Sequence, residues 1–237
     1  MTEVSPAEIG ARRGRVLERI ARAAERAGRD PAQIALLAVT KTHPVEVVRG
    51  AALAGITLFG ENRVAEGIGK IQALSGEFPG LEWRLIGPLQ TNKAKPALQY
   101  FSVIESLDRE RLATRLEGLL AAEDRRFPVL LEINLGAEET KSGTAPEQAA
   151  SLASAALALP HLEVRGLMAV PPYTADPCGA RPYFKRLKEI RDRLADRFGR
   201  PFTEISMGMS HDFEIAVEEG STEVRVGTAL FGARPAA

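Results

Sequence analysis

The feature that most constrains the fold of this chain is an alternation. Eight short apolar runs, at 34–40, 56–59, 82–86, 101–104, 128–134, 162–169, 202–206 and 223–226, read as strands. Helical patterns lie between them at 44–54, 63–74, 92–98, 108–122, 146–157, 181–198 and 212–219, and one more precedes the first strand at 6–27. Strands that alternate with helices build right-handed βαβ units on a parallel sheet. Eight such units within 237 residues predict an α/β fold, a single closed (β/α)8 TIM barrel covering 1–237. An open doubly wound sheet is the second fold that this alternation allows.

Local signals sharpen the ends of the elements. Ser5 is placed to cap the first helix, with Pro6 at its first position and Gly28 just past its end. Ile9, Val16, Leu17 and Ile20 give that helix an apolar stripe. Asp108 is expected to cap the helix at 108–122. The segment 227–237, after the last strand, is too short for a full closing helix. The first helix is therefore expected to pack where that closing helix would lie.

Composition removes several classes of function. The formal net charge is zero, which argues against nucleic acid or an anionic membrane as the main partner. A single cysteine, Cys178, makes no internal disulfide. His43, His161 and His211 are too scattered for a metal site, and Ser206 and Ser210 have no matching His-Asp partners for a hydrolase triad. With no apolar leader and no membrane-length run, the expectation is a cytoplasmic, monomeric protein.

In a barrel of this kind, chemistry gathers at the C-terminal ends of the strands. Here the first strand is followed by Lys41, and the second by Gly60-Glu61-Asn62. The third is followed by 87–93, the fifth by Asn134 and Lys141-Ser142-Gly143, and the sixth ends at Met168. The seventh ends in Ser206-Met207-Gly208-Met209-Ser210, and the eighth in Arg225-Val226-Gly227-Thr228. Glycines and hydroxyls after strands seven and eight are where barrels often hold phosphate, on exposed backbone N–H groups. Glu61 reads as a loop anchor and Trp83 as core.

Lys41 is the sharpest question. It ends the apolar run Leu36-Leu37-Ala38-Val39-Thr40, where a desolvated amine is costly and loses its proton more readily. Taken alone it reads as a strand-end lysine reaching water. Opposite a phosphate site, it suits a phosphorylated aldehyde, and pyridoxal 5'-phosphate (PLP) has both groups. Arg225 would then lie near the pyridine nitrogen.

The segments AVTKTHP, FGENRVAEG, WRLIGPLQTNK, INLGAEETKSG, RGLMAVP, SMGMSHDFEIAVEEG and EVRVGTALFG together resemble the YggS/PROSC family of pyridoxal phosphate homeostasis proteins, over nearly the whole chain. The resemblance implies a barrel like the alanine racemase N-terminal domain, of fold type III, with PLP held as a Schiff base. Lys41 matches the family's PLP lysine. Ser206, Ser210, Arg225, Gly227 and Thr228 match the segments around phosphate and ring, Asn62 and Met168 match pocket-lining positions, and Lys141 lies in a lysine-bearing loop that makes a secondary contact. Three positions depart from the family: His43 replaces a frequent second lysine, Arg63 a frequent tyrosine, and His211 sits at a variable position.

The expected role is that of a carrier or regulator of intracellular PLP, with apo PLP-dependent enzymes as partners. Racemisation needs a base on each face of the cofactor, and the resemblance implies that the second comes from an added domain. An arginine also does not protonate the ring nitrogen as a carboxylate would, which weakens the electron sink. A weak amino-acid racemase is the alternative, and a cofactor-free Schiff-base barrel of the aldolase type a third reading.

Overall fold

In a computed structural model, described for residues 5–136 and 142–232, eight parallel strands close into a barrel in sequence order. They are β1 (Ala35–Val39), β2 (Leu58–Glu61), β3 (Glu82–Leu85), β4 (Val103–Leu107), β5 (Phe127–Glu132), β6 (Leu162–Met168), β7 (Glu204–Met209) and β8 (Glu223–Val226). Ala35, Leu36, Leu37 and Ala38 of β1 pair with Glu223, Val224, Arg225 and Val226 of β8. That pairing closes the ring and removes the open-sheet alternative.

The helices are α1 (Pro6–Arg26), α2 (Val45–Leu53), α3 (Val64–Leu74), α4 (Ala94–Tyr100), α5 (Glu110–Ala121), α6 (Ala149–Leu157), α7 (Arg181–Phe198), α8 (Phe213–Glu218) and α9 (Thr228–Phe231). Each lays an apolar face on the strands, as Leu112, Ala113, Leu116 and Leu120 do in α5. No helix among the described residues is long and apolar enough to cross a membrane.

The first helix packs as expected. Ser5 Oγ accepts the Glu8 N–H at 3.2 Å, and α1 lies against α2, α8 and α9. Arg19 bonds Glu214 at 2.8 Å, Arg26 bonds Glu218 at 2.8 Å, and Arg12 donates to the Leu230 carbonyl at 3.3 Å. A four-residue α9 is all that follows β8 among the described residues, so α1 covers the barrel wall there.

Several boundaries differ from expectation. Arg109, not Asp108, is the N-cap residue of α5, with no side-chain cap bond; Asp108 instead pairs with the Arg109 guanidinium at 2.5 Å. Strand β4 runs on through Glu105 and Ser106, and β7 through Gly208 and Met209. These polar positions look like loop in the sequence. Glu105, Ser106 and Ser206 are buried, and polar partners inside the fold bond each of them. A further difference is at β1, which stops at Val39 and leaves Lys41 in the following turn.

Candidate functional site

A cavity of about 490 Å³ opens at the C-terminal ends of the strands, within the size range of small-molecule sites. Lys41, Asn62, Ser210, Arg225, Gly227 and Thr228 all line it. They arrive from four different strands, so only closure of the barrel brings them together. Met168 and Ser206 are fully buried and lie off the cavity wall. Lys141 is outside the described residues.

Lys41 is presented by a tightly held turn. Thr42 adopts φ +67°, a left-handed conformation that is unfavourable for a β-branched residue. Buried Lys70 of α3 fixes the turn from behind: its Nζ donates to the Thr40 carbonyl, Glu61 Oε1 and Glu66 Oε1, each at 2.7 Å. Glu66 Oε1 also accepts the Thr42 N–H at 2.5 Å, and Thr40 Oγ1 donates to Glu61 Oε1 at 2.6 Å. Burial raises the Glu61 carboxyl, against the hydrogen bonds from Lys70 and Thr40. Glu61 thus anchors the Lys41 turn and takes no part in the cavity wall.

Across the mouth, Ser210 Oγ accepts N–H groups from Gly227 at 3.1 Å and Ala229 at 3.2 Å. Two backbone donors therefore converge on one oxygen position, as they would on a phosphate oxygen. Gly208, at φ +91°, makes the approach possible: a Cβ there would meet Ala216 Cβ at 2.5 Å and Phe213 Cα at 3.0 Å. At the opposite wall, a Cβ on Gly87 would strike the Asn62 carbonyl oxygen at 2.3 Å. Glycine there lets the ends of β2 and β3 close up and bring Asn62 to the cavity.

Arg225 forms part of the floor. It donates to Ser206 Oγ at 2.6 Å and to the Ala169 carbonyl at 2.7 Å. Ser206 Oγ bonds Glu105 Oε2 at 2.6 Å and Glu223 Oε1 at 2.8 Å. Below them Arg84 Nη1 lies 2.9 Å from Glu223 Oε2, 2.8 Å from Glu204 Oε2 and 3.6 Å from Glu105 Oε1. Burial, then the neighbouring Glu105, raises the Glu223 carboxyl well above the ordinary carboxylate range. Arg84 and Arg225 thus share one polar layer with Glu105, Glu204 and Glu223. Ser206 is thus the link between the cavity floor and this buried polar layer.

The cavity also holds residues that the rim pattern did not single out. Glu132, at the end of β5, is one and His211 another, while Ser142 belongs to the rim segment after the fifth strand. The available signal for Glu132 was a charge interrupting the apolar run Phe127–Ile133. Burial pushes its carboxyl up to about 7, opposed by the Ser142 hydrogen bond, with Asp108 raising it and Arg225 lowering it. A carboxyl whose folded value exceeds its unfolded value contributes stability in full below the unfolded value. That contribution is lost as pH rises through the folded one. Ligand-free protein is therefore expected to lose up to about 3 kcal/mol between pH 4.5 and 8 from this group. Glu132→Gln should remove that portion of the loss, read from urea midpoints across the pH range. Parallel curves for the two proteins would assign the pH dependence elsewhere.

The residues present fit a phosphorylated aldehyde. An amine and a converging N–H and hydroxyl cluster share one cavity, and Asn62 Oδ1 is buried there without a hydrogen-bond partner among the described residues.

Residues 13–235 match the family described as "Alanine racemase, N-terminal domain". The chain is 47% identical to the pyridoxal phosphate homeostasis protein of Aquifex aeolicus, over 94% of this chain and 97% of that one. It is 46% identical to the protein of the same name from Pseudomonas aeruginosa, over 93% of each. This chain belongs to the pyridoxal phosphate homeostasis protein family. Among solved structures, PipY of Synechococcus elongatus with PLP bound superposes on this member of the family with a TM-score of 0.79 at 35% identity, covering 92% of this chain and 100% of that one. Alanine racemase from Clostridium difficile, at 18% identity and a TM-score of 0.70, shares the barrel alone, over 93% of this chain and 56% of that one.

Proposed function

We propose that this chain binds PLP in the cavity at the strand ends, holds it as a Schiff base on Lys41, and serves intracellular PLP homeostasis as a carrier or regulator. The observation that carries this reading is the shared cavity: the Lys41 amine on one side and the Ser210–Gly227 donor cluster on the other. The homeostasis relatives and the PLP-bound PipY support it. Bound PLP supplies a reactive aldehyde and an electron-withdrawing ring. The chain's own residues then do three things. Lys41 offers the nucleophilic nitrogen. Ser210, Gly227 and Thr228 hold the phosphate. Arg225, fixed by Ser206 and Ala169, faces the ring nitrogen without giving it a proton. That last property favours holding the cofactor over carbanion chemistry.

The amine-trapping test is direct. Purified protein with added PLP should show a yellow absorbance that borohydride bleaches, with the PLP mass recovered on the peptide containing Lys41. Lys41→Ala should lose both signals. A protein that takes up no PLP, or fixes it on another lysine, would overturn the assignment. Sustained turnover of an amino acid that disappears in Lys41→Ala would instead establish the racemase alternative. For that reading, His211 is on the cavity wall, its Nε2 3.1 Å from the Thr174 carbonyl oxygen.

A further inference from the structure

Glu132 is buried to 5% exposure and lines the cavity. Its two carboxyl oxygens are treated differently. Oε1 accepts the Ser142 hydroxyl at 2.7 Å. Oε2 is buried and has no hydrogen-bond partner among the described residues. The backbone around it is fully committed: the Glu132 carbonyl accepts the Thr144 N–H at 2.8 Å, which folds the segment carrying Ser142 back over β5. The neighbouring cation, Arg225, directs its donors to Ser206 and Ala169. A buried carboxyl oxygen left bare in this way costs stability unless something else completes it. It sits on the wall of the one space where a ligand is expected.

We propose that Glu132 is a ligand-recognition residue, whose Oε2 accepts a hydrogen bond from a hydroxyl or ammonium donor on the molecule in the cavity. This rests on the reading that PLP occupies that cavity. The donor has two possible sources: the ring hydroxyl of the cofactor itself, or the ammonium of an amino compound bound beside it. Either completes Oε2, and neither is a group that the phosphate cradle would engage. Ser142 then acts as a positioning residue, holding Oε1 so that Oε2 faces inward.

The test is an equilibrium titration with PLP, followed by absorbance, for wild type, Glu132→Gln and Glu132→Leu. Far-ultraviolet circular dichroism and ligand-free unfolding confirm that each is folded. Glu132→Gln keeps the shape but replaces one oxygen by an N–H donor, so it remains informative if the leucine variant folds poorly. With the titration run at about pH 8.5, where the Glu132 carboxyl is ionised, loss of a hydrogen bond to a charged acceptor corresponds to an affinity loss of about 10- to 100-fold in both variants. With the PLP analogue that lacks the ring hydroxyl, a vanishing difference between wild type and variants assigns the donor to that hydroxyl. If the difference appears only when alanine is added with PLP, the donor is the ammonium. Variants that match wild type under all three conditions would overturn the proposal. A wild-type protein that binds no PLP would instead overturn the reading beneath it.

Discussion

Arg84→Met should destabilise the barrel by about 3–5 kcal/mol at pH 8, because it removes one member of a buried ionic group and strands the others. Arg84 is the cation at the centre of Glu105, Glu204 and Glu223, all three approached by its Nη1, while its Nε donates to Glu82. Burial alone would lower its proton affinity; Glu223, Glu105 and Glu204 together more than offset that. Without the guanidinium, buried Glu223 loses the cation that opposes its desolvation. Glu223, already raised by burial and by Glu105, then rises further above its unfolded value, so stability is retained at acid pH and lost as pH increases. The urea midpoint of the variant should therefore lie far below wild type at pH 8 and approach it at pH 5. An equal deficit at both pH values would mean that lost packing, not charge, is responsible.

The second large effect is expected at Lys70. Its ammonium is nearly buried and satisfies the Thr40 carbonyl, Glu61 and Glu66 together. Lys70→Met leaves Glu61 unpaired in the interior, again at a cost of about 3–5 kcal/mol. It also releases the turn on which Lys41 stands, since Glu66 holds the Thr42 N–H in the left-handed conformation. Two readouts separate these consequences. Urea unfolding reports the first. The fraction of PLP fixed on Lys41 by borohydride, measured under conditions where the variant is fully folded, reports the second. A folded variant that fixes as much PLP as wild type would confine Lys70 to a folding role.

Neither arginine nor lysine announces these roles in the sequence. Lys70 stands four residues after Glu66 on a helix and reads as an ordinary surface pair. Its burial depends on Glu61 and Thr40, which belong to other elements. Arg84 lies in a strand, with its counter-charges 21, 120 and 139 positions along the chain, a grouping that only barrel closure produces. The barrel itself was legible because its signal is local and repeated eight times. Six candidate positions at the rim were legible for the same reason, since a strand-end position follows from the alternation. Met168 and Ser206 show the limit of that logic. Successive side chains on a strand face opposite sides, and a slip of one residue decides between wall and interior.

The position of α1 has a consequence for how the molecule is made. Arg12 and Leu230, which meet across the seam, are 218 residues apart. Helix α1 must wait for α8, β8 and α9 before its contacts are complete. Seven strands can pair with sequence neighbours as they emerge, but the β1–β8 seam can form only after β8 has emerged. Until then, β1 and the most recent strand expose open edges, and α1 has only α2 of its final neighbours to rest on. Among the strand pairings of the barrel, this one closes the longest loop and so carries the largest loop-closure entropy.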